Sequence, residues 1–196
     1  SADGYFADKF LMQNLGENLD SNRFSDAPDN FQYSAKIQRV AGSTSTIETV
    51  RVGYVFPNDE STDLIGKEVT ISFWAKKGAD YTGSNPNMFI RTGTGTNENL
   101  IAAGTGLVTT SLTSFTPSTT WTRYSATTTV PSSATQVSFF LNYLHSGTAG
   151  ADDSIYTTGW QLEAGSIATP FKRNAPSLQG ELAACQRYHQ RFDPVT

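Results

Sequence analysis

At 196 residues the chain is long enough for one domain with a real core, and 37% hydrophobic against 16% charged residues suits strands whose outer faces are polar but uncharged. A net charge of −4 gives no basic field to attract nucleic acid or an anionic membrane, and no apolar run nears the ~20 residues needed to cross a bilayer. The lone cysteine, Cys185, excludes an intrachain disulfide, and Ser1-Ala2-Asp3-Gly4 lacks the basic and apolar regions of a signal peptide.

Residues 1–30 are the hardest to parse, although Tyr5-Phe6-Ala7-Asp8-Lys9-Phe10 reads as an opening strand. From Tyr33 to Val40, Tyr33, Ala35 and Ile37 alternate with Ser34, Lys36 and Gln38, the two-residue period of a half-buried strand. Val50, Val52, Tyr54 and Phe56 repeat that period until Pro57-Asn58-Asp59-Glu60 breaks it. Val69, Ile71, Phe73 and Ala75 do so again, with Thr70, Ser72, Trp74 and Lys76 opposite. Further strands are expected at Asn87–Thr92, Leu107–Phe115, Trp121–Val130, Gln136–Leu144 and Ser154–Glu163, each bounded by Gly, Pro, Ser or Asn. With about eight strands and no alternating helices, the expected fold is all-β, an antiparallel β-sandwich of jelly-roll type with one C-terminal α-helix.

That helix is read over Leu178–Phe192, where Leu178, Leu182, Cys185, His189 and Phe192 recur at three- and four-residue spacings. The stripe packs either on its own sandwich or on a neighbouring subunit, in which case Leu178, Leu182, Tyr188 and Phe192 are the candidate oligomer contacts. Cys185, on the apolar side with no adjacent lysine, is expected to be buried and passive. The chain therefore divides into a sandwich over 1–177 and a helix and tail over 178–196.

Few residues suit catalysis. Asp152-Asp153 are adjacent carboxylates in a Gly-rich loop, where such pairs commonly cap turns. Asp59, Glu60 and Asp63 read as solvated turn charges. His145 with Ser146 and Asp152 lacks a nucleophile-elbow motif. Gly93-Thr94-Gly95-Thr96-Asn97-Glu98 has neither a dinucleotide nor a phosphate-loop pattern and reads as a flexible connector. One Cys and two separated His do not make a zinc site.

Sugar binding rests on rings that stack on pyranose faces beside amide and guanidinium groups. Tyr54, Phe56, Phe73, Tyr124, Phe139 and Trp160 fall on apolar faces and are assigned to the core. Trp74 instead shares a polar row with Thr70, Ser72 and Lys76, so a helix, a neighbour or a ligand must cover its ring. Arg51 and Asn142 lie on the polar sides of their strands, and Tyr81 lies in the loop over residues 78–86. If these strands neighbour that of Trp74, the four residues form a carbohydrate-binding platform; the competing reading is a subunit interface anchored by Trp and Arg.

The linked words Gln161-Leu162-Glu163-Ala164-Gly165-Ser166-Ile167-Ala168-Thr169-Pro170-Phe171 and Cys185-Gln186-Arg187-Tyr188 resemble the carboxyl ends of phage tail-fibre and receptor-binding domains. Gly4–Phe10, Asp26-Ala27-Pro28, Tyr33-Ser34, Gly66–Lys76 and Trp121-Thr122-Arg123-Tyr124 extend the resemblance over nearly the whole chain, and more weakly to jelly-roll carbohydrate-binding modules. The resemblance implies non-catalytic, multivalent attachment to bacterial surface glycan by a homotrimer. It also implies other virion proteins as partners, and a virion location after assembly in the bacterial cytoplasm. It implies no cofactor: where related sugar-binding jelly rolls carry an Asp pair for calcium, this chain reads Tyr156-Thr157-Thr158-Gly159. Asp8 with Asp152 or Asp153 is the set left for a structural calcium ion. The alternatives are a purely structural virion protein, such as a head decoration or fibre-joining module, and a carbohydrate-binding module of a polysaccharide-degrading enzyme.

Overall fold

The computed structural model describes residues 4–7, 10–14, 19–43, 49–172 and 179–180. They form β1 (Gly4–Ala7), β2 (Phe10–Asn14), β3 (Leu19–Phe24), β4 (Ser34–Arg39), β5 (Thr49–Val55), α1 (Asn58–Thr62), β6 (Glu68–Lys77), β7 (Asn87–Gly93), β8 (Val108–Ser114), β9 (Thr122–Thr129), β10 (Gln136–Leu144) and β11 (Ile155–Ala164). A six-stranded sheet runs β1-β2-β5-β10-β7-β8 and a five-stranded sheet runs β3-β4-β11-β6-β9. Neighbours within them pair antiparallel. The expected jelly-roll-type sandwich is the fold found. The C-terminal helix lies outside the described residues except for Gln179 and Gly180, which are helical; Leu178, Leu182, Cys185, Tyr188 and Phe192 are all outside them.

Strand periodicity builds the core. Val50, Val52, Met88, Phe139, Leu141 and Tyr143 of the six-stranded sheet face Ile37, Ile71, Phe73, Ala75 and Ile155 of the five-stranded sheet, all buried. Trp160 joins them through a bulge between Thr158 and Gln161, where Gly159 adopts φ +62. Its ring then stacks on Phe73 at 4.2 Å and on Phe139 at 5.4 Å. Offset stacking of this kind adds ~0.5–1.5 kcal/mol per pair to the burial of the rings themselves.

Two features differ from the sequence expectation. Pro57-Asn58-Asp59-Glu60 is not merely a break but leads into α1, with Pro57 as its N-cap. Ser61 of α1 is fully buried and its hydroxyl accepts the Val137 N–H at 3.1 Å, which fixes the helix to the start of β10. The region before residue 30 holds three strands rather than one, and β3 closes the five-stranded sheet by pairing with β4.

Candidate carbohydrate-binding face

The four expected platform residues do not share a surface. Phe73 and Ala75 point into the core, so Trp74 between them lies on the outer face of the five-stranded sheet. Val50, Val52, Leu141 and Tyr143 also point inward, which places Arg51 and Asn142 on the outer face of the six-stranded sheet, across the sandwich from Trp74. Tyr81 is buried at 2% exposure, and its hydroxyl donates at 2.8 Å to Ser84 O and at 3.1 Å to Leu144 O. Only Arg51 and Asn142 come together, as direct cross-strand partners.

Around that pair the register assembles a polar strip. Gln13 lies opposite Arg51, and Asn87 lies opposite Asn142 on its other side. Asn87 Nδ2 reaches Ser111 Oγ of β8 at 2.9 Å, so the strip crosses five strands. Arg51 donates from one terminal nitrogen to Gln13 Oε1 and to Ile101 O, both at 3.1 Å. Arg51 Nε and Asn142 Oδ1 are buried polar atoms with no hydrogen-bond partner among the described residues. Leaving a buried donor or acceptor unmade costs ~1–3 kcal/mol each, so this adjacent donor and acceptor are unsatisfied capacity at one spot.

Two residues along each strand, the same face turns aromatic. Phe140 and Phe89 stack at 5.3 Å with an interplanar angle of 12°. Gly53, opposite Phe140 on β5, is required there, because a Cβ would lie 2.1 Å from Phe139 O and 2.5 Å from the Phe140 Cβ. Phe140, Leu11 and Ile101 form a small apolar cluster with Phe89 at its margin. Ile101 and Leu100, both fully buried, belong to the β7–β8 connection, which folds over this half of the face. Gln136 holds the connection by donating to Glu98 O at 2.8 Å and accepting from Glu98 N at 2.9 Å. The Glu98 carboxylate in turn accepts from Thr105 N and Thr105 Oγ1, both at 2.7 Å, which keeps its pKa below the usual value. The stretch read as a flexible connector is thus the start of an anchored flap. Phe89, Asn87 and Arg91 were missed by sequence reasoning, though β7 carried the signal that singled out Trp74: a large ring in a polar row.

The outer face of the five-stranded sheet is covered by its own chain. Residues 165–172 turn back across it, with Thr169 donating from both N and Oγ1 to the Glu163 carboxylate at 2.7 Å and Lys172 N donating to Gln161 Oε1 at 2.9 Å. Arg123 donates to Thr169 O and to Ser72 Oγ. Burial disfavours the charge on Glu163, but the Thr169 bonds, with Gln161 and the Arg123 charge, outweigh it and hold the carboxyl below its usual range. Phe171 packs on Phe31 at 4.9 Å, and Phe31 with Trp74 comes down over Gly159, where a Cβ would lie 2.4 and 3.2 Å from them. The Gln-Leu-Glu and Thr-Pro-Phe words are therefore the two halves of a fold-back latch beside Trp74.

The titratable residues weighed for catalysis have structural surroundings. Asp153 is fully buried and pairs with Arg39 Nε at 2.7 Å. Asp152 points elsewhere, accepting from Tyr156 OH at 2.6 Å and Ala79 N at 3.1 Å, with Lys36 at 3.8 Å. The two carboxyls are thus committed to different partners. His145, fully buried against Tyr143 and Tyr81, is pushed down to about 4, chiefly by desolvation and further by the Arg39 charge, and neither ring nitrogen has a hydrogen-bond partner among the described residues. Among the described residues no group of three or more His, Cys, Asp or Glu side chains is placed to hold a metal ion. Asp8, the third carboxylate weighed for calcium, lies outside them.

Solved structures with the same architecture carry several roles. The chain resembles the enzymatically active domain of tailspike protein 4 of bacteriophage CBA120, with a TM-score of 0.54 and 14% identity over 80% of this chain and 19% of that one. It resembles a structure from a study of the promiscuous specificity of carbohydrate-binding modules of the β-sandwich superfamily, with a TM-score of 0.54 and 10% identity over 80% of this chain and 57% of that one. A third likeness is to the CBM22-1–GH10 modules of Clostridium thermocellum endo-1,4-β-D-xylanase 10B complexed with xylohexaose, with a TM-score of 0.52 and 12% identity over 83% of this chain and 27% of that one. The chain spans less than two thirds of each of these proteins. No protein-family model and no curated protein sequence matches it. What the likenesses establish is the fold, a jelly-roll sandwich of the kind found in carbohydrate-binding modules.

Proposed function

We propose that the chain is a non-catalytic glycan-binding module whose ligand lies on the outer face of the six-stranded sheet, across Arg51, Asn142 and Asn87 and against the ring of Phe89. The observation that carries this is the unpaired Arg51 Nε donor beside the unpaired Asn142 Oδ1 acceptor. Both atoms are closed to solvent in the free chain, so a sugar hydroxyl, which accepts and donates, reaches them only as the side chains over Arg51 and Asn142 part. The half-buried Phe89 offers apolar surface one row away. The commitment of Asp152, Asp153 and His145 to structural contacts supports binding without cleavage.

The tailspike likeness and the fold-back latch support placing this module in a phage tail fibre, where it meets bacterial surface glycan and works within a homotrimer beside other virion proteins. Leu178, Leu182, Tyr188 and Phe192 are the proposed subunit contacts. Single sites of this polar kind bind with Kd ~1 mM, and linked copies gain ~10² to 10⁴ in avidity. The second reading, a carbohydrate-binding module of a polysaccharide-degrading enzyme, is supported by the likeness to the xylanase modules. Affinity electrophoresis in gels containing host surface polysaccharide or xylan separates the two. Retardation by the host polysaccharide, weakened about tenfold in Asn142→Ala, is expected; no retardation in any polysaccharide gel would refute the binding function.

A further inference from the structure

Two guanidinium groups stand side by side on this face without a counter-ion among the described residues. Arg51 of β5 and Arg91 of β7 flank β10, and their guanidinium carbons lie 5.9 and 4.9 Å from the centroid of the same Phe140 ring. Both donate to the same carbonyl, Ile101 O, at 3.1 and 2.6 Å. Arg91 also bonds Leu100 O and Thr109 Oγ1, each at 3.0 Å. These partners are neutral oxygens. The ion pairs among the described residues are Lys36–Asp152, Arg39–Asp153 and Lys76–Asp26, none of them on this face. Burial lowers the pKa of both arginines, and for Arg91 the neighbouring Arg51 charge lowers it further.

Pinning the flap explains the carbonyl contacts but not the charge. Neutral amide side chains donate to carbonyls equally well without placing two like charges over one ring, a repulsive arrangement in partly buried surroundings. Nor is the charge part of a general basic background, since the chain carries a net −4. Arg51 uses one terminal nitrogen for Gln13 and Ile101 and buries Nε without a partner, and Arg91 uses Nε and one terminal nitrogen, so the second terminal nitrogen of each makes no hydrogen bond among the described residues. Two guanidinium N–H donors converging from neighbouring arginines are a fork for the two oxygens of a carboxylate.

Resting on the glycan-binding function proposed above, we infer that the ligand is an acidic saccharide, a sugar whose carboxylate meets the second terminal nitrogens of Arg51 and Arg91 beside the Ile101 carbonyl while its hydroxyl meets Asn142. The carboxylate supplies the charge that the protein leaves out, and the bonds it receives are charge-assisted.

The test is affinity electrophoresis of the full chain in gels containing polygalacturonate, alginate or hyaluronan, each beside its carboxyl-reduced neutral form, with dextran sulfate, xylan and soluble cellulose as further gels. At least one acidic polymer is expected to retard the protein tenfold more strongly than its reduced form. Arg51→Gln and Arg91→Gln should each collapse that ratio toward one, with folding checked by circular dichroism. Should a variant fail to fold, salt decides with the unaltered chain, because retardation by the acidic polymer should fall at least tenfold from ~20 to ~500 mM NaCl. Equal retardation by acidic and reduced polymers, or by neutral polymers alone, overturns this inference and leaves glycan binding standing. Retardation by dextran sulfate as strong as by the uronates also overturns it, since the face is then a general polyanion patch. Absence of retardation in every gel overturns both.

Discussion

The two outer faces of the sandwich are built from similar residues and handled in opposite ways. On the five-stranded sheet, Glu163 and Gln161 find partners on Thr169 and Lys172 of a returning segment of the same chain, and Arg123 ties that segment to Ser72. On the six-stranded sheet, a flap covers Phe140 and Leu11 and its Ile101 carbonyl reaches Arg51, while among the described residues no hydrogen bond joins it to Asn142 or Asn87. A polar row with a ring in it is therefore not by itself a binding site. What separates the two faces is how far the chain's own segments cover them; a buried donor without a partner occurs on both, at Arg51 Nε and at Arg123 Nε, and the unpaired Asn142 Oδ1 beside Arg51 is what the six-stranded sheet has in addition.

The comparison holds only while both sheets stay docked, and the largest expected effect defines that range. His145 is held neutral in the folded state with a pKa of about 4, against an ordinary 6.5. Between those values the unfolded chain binds the proton and the folded chain does not, so stability is full above pH ~6.5 and falls as pH drops toward 4. At 1.36 kcal/mol per unit this amounts to about 3 kcal/mol. Urea denaturation at pH 7.5 and 4.5 should show the loss, and His145→Phe should flatten it across that window. An equally steep decline in the variant would mean that carboxylates, not His145, set the acid limit.

Trp74→Ala tests the covered face. Removing a fully buried Trp costs ~3–5 kcal/mol, and Trp74 is half-buried, so about 2 kcal/mol is expected. Glycan retardation should be unaffected. A variant of normal stability that no longer binds would move the ligand to the five-stranded sheet and reverse the assignment of the faces. Glu163→Gln should release the latch more gently, by about 1 kcal/mol, because it weakens the Thr169 bonds at a largely exposed site. A thermal melt unchanged within ~0.3 kcal/mol would show that the latch contributes no stability.

How much of this was legible depends on what a two-residue period encodes. Along β6 and β10 it separates Phe73 from Trp74 and Leu141 from Asn142, and the core is read correctly. The same period cannot say on which of two outer faces a polar residue emerges, because that depends on pairing between distant strands, and the platform joining Trp74 to Arg51 dissolved there. β3 was missed because Leu19-Asp20-Ser21-Asn22-Arg23-Phe24 is an edge strand with five of its six residues polar or exposed. Leu100 and Ile101 form too short an apolar run, between glycine-rich segments, to announce that both are fully buried. The linked words ending in Thr169-Pro170-Phe171 were visible as a pattern, but their reciprocal bonding needed coordinates.

The smallest expected change in stability belongs to the residue with the largest expected effect on binding. Asn142 Oδ1 is buried without a partner, so the folded state already bears the cost of drying it. Asn142→Ala removes that cost together with the side chain's packing, and because the two oppose, the net shift should stay within about 0.5 kcal/mol of zero. In a complex the position is reversed, since the same oxygen would accept from a sugar hydroxyl beside Arg51 and its loss leaves that hydroxyl dry and unmet. Retardation by the bound polysaccharide should then weaken about tenfold, the equivalent of 1.4 kcal/mol. Binding retained in full by a stable Asn142→Ala chain would show that the unmatched pair on the six-stranded sheet is an internal feature of the fold and not the place where the ligand sits.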